Sequence, residues 1–302
     1  MKYKSMPHYL KRPEGLVDIV LDTDAYNEID DQFAIAYILK SPEKFNVKAI
    51  CAAPFYNEKS SGPEDGMRKS FDEVIKITKL AERTDVLPLI YEGSTGYLAD
   101  EKTPVISQAA EKIIALAMDA KPGQKLYVVA IGAITNVASA ILLKPEIADK
   151  IVILWLGGHS LEWHDTKEFN MIQDVAAARV VLGSGAPLSL FPCMGVVSSL
   201  TTTEPELKYH LAGKNSLCDY LAKNTIKEGR QSGLETWSRP IWDIAPAAWF
   251  FDEEFMLSRP ESSPIPSFDG YYQTDKRRHM IEYVYYINRD LVFQDLFSRL
   301  LR

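Results

Sequence analysis

Cysteine is scarce. Cys51, Cys193 and Cys218 lie far apart and form no CxxC pair, which excludes a disulfide framework and a zinc ribbon and points to a reducing, cytoplasmic setting. Positive charge is short too: 34 Lys and Arg stand against 41 Asp and Glu, a formal net charge of −7. No basic face for nucleic acid is expected. No apolar run approaches the roughly 18 residues of a membrane span, and the basic opening MKYKSMPHYLKRPEGLVDIV lacks the continuous apolar stretch of a signal peptide. Internal repeats, low-complexity tracts and a clear interdomain linker are also missing. The Pro- and Ser-rich stretch from Ser262 to Ser267 reads as a surface loop within one domain covering residues 1–302.

What is present is an ordinary globular composition, 46% apolar and 25% charged over 302 residues. That excludes global disorder and allows a sizeable core. Apolar runs alternate with helical patterns along most of the chain. Leu16 to Leu21, VKAICAA, VLPLIY, KLYVVAIG, IVILWLGG and LSLFP read as strands. Between them, segments such as FDEVIKITKLAE, ISQAAEKIIALAMDA, TNVASAILL and DVAAARVVL read as helices. Strands without polar alternation, separated by helices, predict a mainly parallel central sheet with helices on both faces, a Rossmann-like α/β fold. Right-handed crossovers then gather the strand-to-helix loops on one sheet edge, where ligands sit. Past Thr201 the pattern turns helical, in TEPELKYHLAG, NSLCDYLAKNTIKEG and WDIAPAAWFF. A turn-rich SRPESSPIPSFDG then precedes a strand-like EYVYYIN and a last helix, DLVFQDLFSRLL.

The most informative segment is DTDAYNEIDD, Asp22 to Asp31, where four aspartates and Glu28 crowd into the residues after a buried strand. Side-by-side carboxylates repel unless a cation neutralises them. Asp30 and Asp31 also stand where a helix N-terminus favours negative charge. A solvated acidic loop capping a helix is the plainer alternative.

Four further motifs accompany this cluster: GAITN (Gly132–Asn136), LGG (Leu156–Gly158), EFN (Glu168–Asn170) and WDIA (Trp242–Ala245). In this order the five resemble the nucleoside hydrolases of the inosine-uridine-preferring family, which carry DxDPGxDD, GPLTN, MGG, EFN and HDxxA. The resemblance implies the nucleoside hydrolase fold with helical additions in the C-terminal third. It also implies calcium-dependent hydrolysis of the N-glycosidic bond of a ribonucleoside or related N-riboside, as in purine salvage, by a homodimer or homotetramer. Carried over by position, Asp24 is a calcium ligand and the base that activates water, with Asp22 supporting it from behind. Asp31, Asp243 and the backbone carbonyl of Thr135 complete the protein's share of the calcium shell. Asp30, Glu168, Asn170 and, less directly, Asn57 contact the sugar hydroxyls.

The residue types suit that chemistry. Calcium takes about 6 to 8 oxygen ligands, and three carboxylates on a divalent ion leave one negative charge beside a sugar becoming oxocarbenium-like. Two departures stand out. Five residues, Ala25 to Ile29, separate Asp24 from Asp30 where the family has three, a loop long enough to bring Glu28 or Tyr26 into the pocket. Trp242 stands where many relatives have the histidine that protonates the leaving base. Its indole either stacks on a base or opens a buried helix as a core residue. His159 and His164, in the loop between LGG and EFN, are candidate proton donors, His164 being taken as the catalytic one. Two other classes compete: a non-catalytic calcium- and ribose-binding relative, and a phosphatase of the DxD type, against which Tyr26 replaces the Thr or Val expected two residues after the second aspartate.

Overall fold

The computed structural model describes residues 10–121 and 123–302; the first nine residues of the basic N-terminal stretch lie outside the described residues. Eight strands form the central sheet. They are β1 (Val17–Thr23), β2 (Phe45–Ala52), β3 (Ile90–Tyr91), β4 (Leu126–Ala130), β5 (Ile151–Leu156), β6 (Leu188–Phe191), β7 (Met256–Ser262) and β8 (Met280–Ile287). Their spatial order is β3-β2-β1-β4-β5-β6-β8-β7. All neighbours pair in parallel except β7, which runs antiparallel to β8 at the edge. The chain therefore starts in the middle of the sheet, winds outward to β3, and returns across β1 to build the other half.

Alternation along β1 explains why it lies at the centre. Ile19 and Leu21 enter the apolar core on one face, Val20 the core on the other, and all three are fully buried. One core is roofed by α3 (Gln108–Asp119), α4 (Thr135–Leu143) and α6 (Val175–Gly183). The opposite core takes α1 (Asp30–Leu39), α2 (Pro63–Leu80), α7 (Glu204–His210), α8 (Ser216–Arg230), α9 (Ile244–Ala248) and α10 (Arg289–Leu300). Every residue of α1 is buried, so its spacing of Phe33 and Tyr37 marks a helix enclosed on all sides, not an amphipathic surface helix.

Three expectations need correction. VLPLIY is mostly a 3-10 turn (Thr84–Leu89), and only Ile90 and Tyr91 join the sheet. Pro88 lacks the N–H that a ladder position requires. The turn-rich SRPESSPIPSFDG begins as strand, for Ser258 to Ser262 belong to β7, where Pro260 is tolerated because the strand is at the sheet edge. WDIAPAAWFF is helical only over Ile244–Ala248. No helix among the described residues is long and apolar enough to cross a membrane.

Candidate active site

The loops after β1, β4, β5 and β6 converge with the start of α9 on one edge of the sheet, around a cavity of about 230 Å³. This is where ligands sit in open α/β sheets, though the volume falls just below the usual range for small-molecule pockets. Asp24, Asp30, Asp31, Glu168, Asn170, Trp242 and Asp243 all line it. Residues more than 200 positions apart in sequence thus share one wall.

The carboxylates form its floor. Asp30, Asp31 and Asp243 are buried and can each offer an oxygen within 4.8 Å of the others. Asp24 is equally buried, and its carboxyl is pushed well above the ordinary range, first by burial and then by Asp31 and Asp30. Burial likewise dominates at Asp30 and Asp243, with neighbouring carboxylates adding to it. At Asp31 it raises the value to about 7 against the opposing Thr23 hydroxyl, which donates to Asp31 Oδ1. Among the described residues, Asp24 Oδ2 and Asp30 Oδ1 are buried without a hydrogen-bond partner. Unpaired carboxylates in a desolvated cluster are costly, and an all-oxygen donor set fits a hard divalent cation. The tightest trio includes Asp30, which the resemblance assigns to the sugar.

Local structure explains the motifs. Asn136 of GAITN faces inward from the start of α4. Its Nδ2 donates to Asp22 Oδ1 at 2.8 Å and to the Ala52 carbonyl at 3.2 Å, while its Oδ1 accepts from the Ser94 N–H. It ties β1, β2 and α4 together beneath Asp24. A side chain at Gly132 would put its Cβ 3.0 Å from Asp24 Oδ1, so only glycine leaves that carboxylate room. Thr135 opens α4 with its hydroxyl on Asp174 and does not line the cavity.

In LGG and EFN the partners are each other. Gly158 adopts φ +69° and donates its N–H to Glu168 Oε2 at 2.8 Å; Glu168 also accepts from the Asn170 and Met171 N–H groups as the N-cap of α5 (Phe169–Gln173). Glu168 is held near pKa 7 because burial raises it against these three donors. Asn170 Nδ2 donates to the carbonyls of Ile131 and Leu156, leaving Oδ1 available to the cavity.

Two sequence assignments are displaced. His164 is off the cavity wall, 77% exposed, with Nε2 3.2 Å from Asp165. His159 is the histidine of this loop that lines the cavity, and its side chain is 12% exposed. Asn57 lines an adjoining groove and donates to Asn27 Oδ1 at 2.6 Å, and it is Asn27 that reaches the cavity. The long Ala25–Ile29 loop is firmly held. Ala25 and Ile29 are buried, Gln32 and Lys59 donate to the carbonyls of Ala25 and Asn27, and Glu28 pairs with Arg239 at 2.7 Å. Glu28 lines the cavity, whereas Tyr26 faces the groove and is 42% exposed. Arg239, Cys193 and Met194 lie in none of the motifs, and Phe169, though inside EFN, was given no role there.

Comparison with known proteins agrees with this geometry. The family description "inosine-uridine preferring nucleoside hydrolase" matches residues 19–284. The pyrimidine-specific ribonucleoside hydrolase RihA of Escherichia coli O9:H4 is 30% identical over 192 residues, 56% of this chain and 58% of that protein. The matched segment thus spans under two thirds of such curated relatives. Among solved structures, the purine-preferring ribonucleoside hydrolase from Gardnerella vaginalis superposes with a TM-score of 0.76 at 20% identity, covering 94% of this chain and 98% of that one. A plant nucleoside hydrolase, PpNRh1, gives 0.74 at 18% identity over 96% and 99%. These two likenesses concern the fold. The family match takes in β1 through most of β8 and every carboxylate of the cavity floor, and the chain belongs to the inosine-uridine preferring nucleoside hydrolase family.

Proposed function

We propose that the protein is a calcium-dependent hydrolase that splits the N-glycosidic bond of a ribonucleoside or related N-riboside, releasing base and ribose. The observation that carries this reading is the buried carboxylate floor with unpartnered oxygens on Asp24 and Asp30, at the sheet edge where small ligands bind. Asp30, Asp31 and Asp243 would hold the ion, with Asp24 beside them on the same floor; Thr135, which does not line the cavity, is left out of that set. When bound, calcium supplies positive charge that favours ionised carboxylates, orients vicinal sugar hydroxyls and eases the deprotonation of water.

The chain's own residues do the rest. Asp24 accepts a proton as water attacks C1′, and Asp22, fixed by Asn136, buttresses the strand end that carries it. Asn170 offers its remaining oxygen to a sugar hydroxyl. Glu168 fixes the loop that presents Asn170, and with Asp30 it keeps the sugar's surroundings negative as oxocarbenium character develops. Trp242 and Phe169 supply flat apolar surface for the base.

The test is ribose release from purine, pyrimidine and pyridine ribosides at saturating calcium, with Asp24→Asn in parallel. Turnover in the native protein that falls at least about 10³-fold in the variant is expected, as for removal of a group central to the chemistry. A native protein that binds calcium and ribose but releases nothing would instead be a ligand-binding relative.

A further inference from the structure

Cleavage of a C1′–N bond sends the bonding electron pair to the leaving ring. A neutral base needs a proton in exchange, whereas a ring whose nitrogen is already quaternary leaves as a neutral molecule with no proton added. Asp24 takes a proton in the reaction above, so any donor to the base is another group on the cavity wall.

None of the wall's other groups is set up to give one. His159 Nδ1 accepts the Met194 N–H at 3.3 Å, which leaves the ring neutral with its proton on Nε2. Nε2 lies 3.8 Å from Asp165 Oδ1, beyond hydrogen-bond reach. A neutral imidazole could donate only by becoming imidazolate. Glu168 accepts three backbone N–H groups and the Cys193 thiol, so a proton on its carboxyl would have to displace one of these donors. The Cys193 thiol, driven up by burial beside Glu168, keeps its proton. Lys167 is an exposed, well-hydrated ammonium. Trp242, packed against the core next to Asp243, contributes an indole in place of an acid.

The charge of the wall points the same way. Six carboxylates line it: Asp24, Glu28, Asp30, Asp31, Glu168 and Asp243. A divalent ion, Lys167 and the Arg239 partner of Glu28 leave an excess of negative charge, which attracts a cationic ligand. Trp242 and Phe169 add aromatic faces, the surfaces on which delocalised or quaternary cations settle.

We propose that the preferred substrates are N-ribosides of a quaternary heteroaromatic nitrogen, pyridinium ribosides above all, rather than neutral purine or pyrimidine nucleosides. This rests on the hydrolase reading and names the substrate class of the same site. In the reaction the C1′–N⁺ bond breaks and its electron pair stays with the ring nitrogen, releasing a neutral pyridine. The water oxygen bonds C1′, and its displaced proton passes to Asp24 and then to solvent.

The experiment measures kcat and KM of the calcium-loaded protein for nicotinamide riboside, uridine, inosine and the neutral 4-nitrophenyl β-riboside, which also leaves without a proton. Nicotinamide riboside is expected to exceed uridine and inosine at least 100-fold in kcat/KM. The 4-nitrophenyl compound should turn over readily but with a KM at least tenfold above that of nicotinamide riboside. Trp242→His, which installs a titratable donor, is expected to narrow the gap to uridine and inosine at least tenfold, and Trp242→Phe to preserve it. Uridine or inosine cleaved within tenfold of nicotinamide riboside, or a KM for the 4-nitrophenyl compound equal to that of nicotinamide riboside, overturns the inference while the hydrolase reading stands. Cleavage of none of the four overturns both.

Discussion

Replacing Asn136 by alanine strikes the support of the site without touching the cavity. Its amide is fully buried and joins three elements, donating to Asp22 Oδ1 and the Ala52 carbonyl and accepting from the Ser94 N–H and hydroxyl, each of these last two at 2.8 Å. In the alanine variant the Ser94 N–H and Asp22 Oδ1 lose their partners in a dry interior. Each orphaned group costs about 1–3 kcal/mol, and the vacated space adds to this, so a total loss of about 3–5 kcal/mol is expected. That is a large share of the 5–15 kcal/mol typical of a folded domain. Urea denaturation at pH 7 reads it directly, and a loss below about 1 kcal/mol would refute the hydrogen-bond assignment. Asn136→Asp keeps the volume but sets a carboxylate oxygen against Asp22. Burial already raises the Asp22 carboxyl to about 7 from 3.8, and the Asn136 amide is what opposes that rise. A group whose folded pKa is raised contributes stability that is complete below its unfolded value and lost as pH climbs through the folded one. Asn136→Asp is therefore expected to be more destabilised at pH 8 than at pH 5, and an equal loss at both would sink the account.

Two further outcomes follow from the site. Gly158→Ala forces an L-residue into φ +69° and puts its Cβ 2.0 Å from the Tyr272 hydroxyl, for an expected loss of about 2–4 kcal/mol in chemical denaturation; a change under about 1 kcal/mol would mean the loop relaxes freely. Calcium at about 100 times its dissociation constant should stabilise the protein by about 2.7 kcal/mol, a thermal shift of about 4 °C for a chain of this size. The shift should vanish in Asp31→Asn, and an equal shift in that variant would place the ion elsewhere.

The parallel sheet was legible because each of its central strands is a run of apolar residues too short and too uniform for anything but burial on both faces. Ile151 to Leu156 shows it: Leu154 and Trp155 enter opposite cores, and no polar position interrupts them. The errors fall where a local signal and the tertiary setting disagree. Pro260 marks turn-rich sequence, yet an edge position has no outward ladder for it to break. Pro88 stands in an apolar run, yet the run turns before it pairs. Neither outcome can be read from composition, since both depend on which strand lies alongside.

The site divides in the same way. The aspartates were legible because four of them beside a buried strand have no low-energy arrangement without a cation or a helix start; Asp30 and Asp31 open α1, and with Asp243 they form a cluster able to hold a cation. Which histidine of the LGG-to-EFN loop enters the cavity was not, because the choice between His159 and His164 is made by the Met194 N–H, brought in by the loop after β6. The role of the two extra residues in the acidic loop was hidden for a related reason. Ala25 and Ile29 are drawn into the core while the carbonyls of Ala25 and Asn27 are claimed by Gln32 and Lys59, so the loop gains length without losing the position of Asp30 and Asp31. The added length is taken up by Glu28, whose carboxylate repels Asp30, a repulsion partly offset by Arg239, more than 200 residues away in sequence and paired with Glu28. Loop length and arginine act together: the longer loop brings a further negative charge to the cavity wall, and Arg239 offsets part of its repulsion of the carboxylates beneath it.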